Sequence, residues 1–112
     1  MNRQKAEAER WFGEAEADLA TAIDLVERRR YNWACFVAQQ AAEKAVKAVY
    51  LAHGESVEKV HSVLALVIGR EEQRVPGIPE LAHLEREARE LDKHYIPTRY
   101  PNGVPFGMPH EF

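Results

Sequence analysis

From Tyr31 to His53 the chain runs without a single glycine or proline, and Ala34, Ala38, Ala41, Ala45, Ala48 and Ala52 recur within it. Their steps of four, three, four, three and four residues follow the α-helical period. A stripe of methyl groups lets a second helix approach closely, so this segment has to lie against other helices. Trp33, Phe36, Val37, Val49 and Tyr50 widen its apolar surface beyond one stripe. The helix therefore has neighbours on more than one side. Gly54 stands where a left-handed cap ends such a helix.

The flanking segments supply those neighbours. From residue 3 to about residue 29, Trp11, Ala15, Leu19, Ala22 and Val26 form one apolar face, with Glu9, Arg10, Glu16 and Glu27 among the polar positions. Arg28-Arg29-Arg30 closes the segment, where cations complement the partial negative charge of a helix C-terminus. Phosphate contact is the other use of such a triplet. A third, short helix is expected over about Ser56 to Ile68, with Val60, Val63, Leu64 and Val67 as its apolar set and Gly69 as its stop. Arg70–Gly77 is a polar loop. A fourth helix is expected from about Pro79, carrying Leu81, Leu84, Ala88 and Leu91 as a narrow seam, and ending before Pro97.

Beyond residue 94, prolines at 97, 101, 105 and 109 forbid helix. The same stretch carries Tyr95, Ile96, Tyr100, Val104, Phe106, Met108 and Phe112. That is too apolar for a free solvated end, so it is expected as an extended segment docked on the helices or on a second subunit. The expected fold is all-α: one domain over 1–112, with an antiparallel, up-and-down four-helix bundle over 1–94 and an irregular Pro-rich tail over 95–112. No repeat of solenoid period is present.

Composition narrows the function. With 112 residues, one domain is the natural count. A net charge of −3 argues against a generally basic nucleic-acid binder and leaves room only for a local basic patch. One cysteine excludes a disulfide framework within the chain and fits a reducing compartment. Beside Phe36, Cys35 is expected to be a buried, inert thiol. The charged start has no apolar core of a signal peptide, and nowhere do 18 apolar residues run together. A cytoplasmic protein with no membrane contact is the expectation.

Phosphate-loop, dinucleotide, zinc-protease and serine-hydrolase motifs are all missing. The histidines at 53, 61, 83, 94 and 110 have no metal-binding helical spacing, so neither a metal nor any other cofactor is expected. Three constellations remain. Gln40, Glu43, Lys44 and Lys47 share one helix face beside the alanine stripe, either as surface ion pairs or as a polar network that fixes helix register. Arg86, Arg89 and Lys93 form a basic stripe, and Arg89 with His94 makes an R-x4-H spacing. Histidine can move a proton and arginine can stabilise a phosphorane. On an ideal helix, however, the two side chains diverge by about 140°, so they need a distorted helix end or a second subunit. Lastly, Tyr95, Arg99 and Tyr100 sit in Y-I-P-T-R-Y-P-N-G, where aromatics can stack on a base while a guanidinium holds phosphate.

The order of W-F followed by D-L-x-x-A, then Y-N-W-A-C-F-V-A-Q-Q-A-A-E-K-A-V-K-A, then His61 opening a short helix, then Y-I-P-T-R-Y-P-N resembles the HEPN family over nearly the whole chain. HEPN abbreviates higher eukaryotes and prokaryotes nucleotide-binding. The resemblance, to a small stand-alone prokaryotic member, implies an all-α bundle, usually a homodimer, with a nucleotide or RNA as ligand. It further implies a minimal nucleotidyltransferase as partner, in a two-component or toxin–antitoxin system. Many members are metal-independent ribonucleases built on Arg, four to six residues and His, a spacing that Arg89 and His94 match.

Three functions are thus in competition. The first is a nucleotide- or RNA-binding module, more binding than catalytic, with Arg99, Tyr95, Tyr100, Lys44 and Lys47 around the ligand. The second is a ribonuclease using Arg89 and His94 across a dimer. The third is a non-catalytic structural interaction protein.

Overall fold

A computed structural model describes residues 2–95. Its helices are α1 (Asn2–Glu27), α2 (Tyr31–Ala52), α3 (Val63–Ile68) and α4 (Glu85–Asp92). Single 3-10 segments at Glu71–Gln73 and Pro79–Leu84 lie in the connections. The described chain is all-α, and its four helices are unequal.

The two long helices form an antiparallel hairpin. A tight turn joins them, with Arg29 in the left-handed region at φ 62°. Ala8, Ala15 and Ala22 of α1 are buried, each seven residues from the next, as are Ala34, Ala41 and Ala48 of α2. The two series run in opposite directions, and Ala8 and Ala48 line one groove. Small side chains at this period let the helix backbones come close. The expected α1 face splits: Trp11 and Ala15 turn inward, whereas Leu19 is 52% and Val26 49% exposed. The cause is that α1 packs on α2 alone among the described elements, so none of these covers its flank.

The principal core lies on the other side of α2. Val46 and Tyr50 meet Val57, Val60, Val63, Leu66, Val67, Val75 and Ala88 there, and Leu66 is fully enclosed. Tyr50 fixes this half at one atom. Its hydroxyl donates to the Leu66 carbonyl at 2.7 Å and accepts from the Gly77 N–H at 2.9 Å. Burial pushes the phenol above its ordinary pKa. Gly77 has φ +88°, and a Cβ there would fall 2.8 Å from the Ile68 carbonyl carbon, so only glycine allows this crossing.

Three expectations change here. The third helix begins at Val63, not Ser56, because Val57 and Val60 enter the core from an irregular segment. The fourth begins at Pro79 as a 3-10 turn and becomes α-helical only at Glu85. Cys35 is half-buried rather than enclosed. The expected docking of the proline-rich segment falls on residues 96–112, outside the described residues.

Six residues are too few for an autonomous helix, so α3 depends on its caps. The Ser62 hydroxyl accepts from Ala65 N–H at 3.0 Å. Asp92, from the end of α4, accepts from Val63 N–H at 2.8 Å, Leu64 N–H at 3.1 Å and the Ser62 hydroxyl at 2.6 Å. Together they satisfy the three free donors of the first turn. Replacing Asp92 with Ala should therefore lower stability by about 2 kcal/mol, more than an ordinary cap deletion. Urea unfolding of Asp92→Ala beside Asp92→Asn checks this, with the Asn variant falling between Ala and wild type.

Candidate functional site

The polar residues of α2 divide between two partners. Lys44 faces α1, where its ammonium meets Asp18 at 2.8 Å and Glu14 at 3.5 Å. The hydrogen bond to Asp18, the largest influence, holds Lys44 above the ordinary lysine range. Gln39, Glu43 and Lys47 repeat every four residues and face the other way, into the protein. All three are buried, Gln39 completely.

Glu43 is the hub of this interior group. One carboxylate oxygen, Oε2, accepts from the Lys47 ammonium at 2.8 Å and from His61 Nδ1 at 3.1 Å. Lys47 also donates to the Glu58 carbonyl at 2.8 Å and lies 5.9 Å from the centre of the Trp11 ring. Gln39 donates to the His61 carbonyl at 3.1 Å, and its own carbonyl accepts from Gln40 at 2.7 Å. Among the described residues no buried side-chain polar atom lacks a partner. A carboxylate and an ammonium taken out of water this far are tolerable only because each has its counter-charge and further hydrogen bonds.

The network reaches the surface at His61. Its side chain is 48% exposed, its Nδ1 is tied to Glu43, and its ring stacks on Tyr95 with centroids 5.2 Å apart and planes 12° from parallel. Asp92 and Ser62 hold the backbone immediately beyond it. Here a buried carboxylate positions an imidazole, and two aromatic rings form a shelf at the point where the chain leads toward Arg99.

The residues expected in a site are distributed as follows. Tyr95 forms part of the shelf. Lys44 bridges the hairpin on the opposite side of α2. Lys47, expected to touch a ligand, has a side chain only 3% exposed, with its ammonium on Glu43 and Glu58, so it supports from within. Arg89 is exposed and donates to Glu85 at 2.8 Å. His94 is half-buried two residues beyond the end of α4. No contact joins Arg89 to His94 among the described residues. Arg99 and Tyr100 lie outside them. Sequence reasoning missed Gln39 and Asp92, and it treated His61 only as a helix start. The signal for Gln39 was its four-residue step to Glu43; nothing local marks Asp92, whose partners lie about thirty residues earlier.

Removing Glu43 tests the hub. Glu43→Ala leaves the Lys47 ammonium buried beside one carbonyl, which should cost about 3–5 kcal/mol in a denaturant titration. The double variant Glu43→Ala/Lys47→Met should recover much of that loss.

Comparison with known proteins follows the same outline. A family model, the HEPN domain, matches residues 8–111. No curated protein and no solved structure matches the chain significantly. A family match over nearly the whole chain leaves one assignment: the chain belongs to the HEPN family.

Proposed function

We propose that this HEPN-family chain is a nucleotide- or RNA-binding module that works as a homodimer beside a minimal nucleotidyltransferase, in a two-component or toxin–antitoxin arrangement. The observation that carries the ligand reading is the His61–Tyr95 shelf, the surface outlet of the buried Glu43 network. Flat, unstacked bases bind proteins by lying on such rings. Arg99 follows Tyr95 by four residues, within about 13 Å of contour, so its guanidinium is in reach of the phosphate of a base held there. Tyr100 adds a second phenol. Lys44, on the opposite side of α2 and paired with Asp18 and Glu14, takes no direct part in this reading, and Lys47 acts from behind by holding Glu43.

The dimer reading is supported by the uncovered flank of α1. Phe12, Leu19, Ile23 and Val26 are each about half exposed along one helix. Apolar side chains gathered on one element mark an association surface more often than scattered ones do. The ribonuclease alternative needs Arg89 to leave Glu85 and His94 to be met from a second subunit. That makes binding the stronger of the two.

Calorimetry with ATP and with a short single-stranded RNA separates these readings. Arg99→Ala should weaken binding by about tenfold, near 1.4 kcal/mol, and leave the melting temperature unchanged. A large loss of stability with unaltered binding points instead to a structural loop. EDTA-resistant RNA cleavage that vanishes in Arg89→Ala or His94→Ala points to the nuclease.

A further inference from the structure

His61 is held more firmly than its exposed position requires. Glu43 is already neutralised by Lys47, and Gln39 already fixes the His61 backbone. Yet the ring itself is clamped twice more, by the Glu43 carboxylate at Nδ1 and by the Tyr95 ring on its face. A carboxylate only accepts, so the Nδ1 carries the hydrogen. In the neutral ring the lone pair is then on Nε2, across the ring from Glu43. Among the described residues Nε2 has no hydrogen-bond partner.

The charges behind the ring cancel. Glu43 and Lys47 form a closed pair at 2.8 Å, so the outlet presents a neutral acceptor instead of a phosphate-binding cation. What fits it is a donor lying in the plane of the ring. A base stacked on the shelf is parallel to that plane and offers its face. The group beside such a base that can reach across to the Nε2 edge is its sugar, and the donor that ribose carries there and deoxyribose lacks is the 2′-hydroxyl. This hydroxyl is also what distinguishes RNA from DNA at a given position.

We infer that His61, set in one tautomer by Glu43, is the acceptor that reads the 2′-hydroxyl of a nucleotide whose base lies on the open face of the His61 ring, backed by Tyr95, and so makes this chain prefer ribose over deoxyribose. The inference rests on the nucleotide reading above and deepens it: it names the sugar as the recognised group and His61 as the reader.

Binding of a short mixed-sequence single-stranded RNA and of its DNA counterpart, measured at pH 8 on the full chain, provides the test. The expected result is an RNA preference of about tenfold, the worth of one well-placed hydrogen bond. His61→Phe keeps a ring to stack on Tyr95 and removes the acceptor, so it should bring the ratio close to one, mainly through weaker RNA binding. His61→Ala should do the same with further loss for both strands. Both variants lose the bond to buried Glu43 and should melt below wild type, so the RNA-to-DNA ratio, which a uniform loss of stability does not move, is the readout. A preference that survives His61→Phe overturns the inference and leaves the nucleotide reading standing. Equal wild-type affinity for the two strands does likewise. Failure of the wild type to bind either strand or ATP overturns both.

Discussion

The second half of this molecule is organised around one buried carboxylate. Glu43 sits in the middle of α2 with Lys47 and His61 on the same oxygen, and through them it fixes the irregular segment that precedes α3. A charge in that position is unfavourable by itself, and the surrounding donors offset its desolvation. The same atoms thereby acquire two duties. They register the loop against the helix, and they orient an imidazole at the surface.

A second organising element is purely steric. Alanines seven residues apart on α1 and α2 form a seam in which two backbones approach without large side chains between them. The seam keeps α1 at a fixed distance and leaves its outer apolar residues uncovered among the described elements, which is why the apolar face read for α1 in the sequence is only half buried. Polar contacts refine the pairing at its middle, where Lys44 joins Asp18 and Glu14. Their net effect on stability is small beside that of close packing, because both partners remain partly in water.

The fold class and the long helices were legible in the sequence because their signals are periodic and local. The alanine repeat of α2 and the position of Gly54 needed no tertiary information. The Gln-Gln-Ala-Ala-Glu-Lys block was visible as a polar face, but which of its members turn inward was not. Lys44 and Lys47 are three residues apart, yet one faces Asp18 and the other the interior, and only the placement of α1 and of the Glu58–His61 segment decides that. Leu19 was misplaced for the same reason: its burial depends on a neighbour that α1 does not have among the described elements. The start of α3 was illegible because its capping aspartate comes from α4. His61 looked like a boundary residue, and its value appears only when Glu43 and Tyr95 are brought to it.

The dependence of α3 on Asp92 also has a temporal side. Ser62 and its aspartate are separated by thirty positions, so on a growing chain Val63–Ile68 is made well before the group that secures its first turn. A six-residue segment has little helicity in isolation. The seam between α1 and α2 joins chain segments linked by a tight turn, and all of its alanines are made before α3 is. This architecture therefore has a built-in order of maturation: the nascent N-terminal pair acts as a template, and the His61–Tyr95 shelf is completed only when α4 has closed over α3.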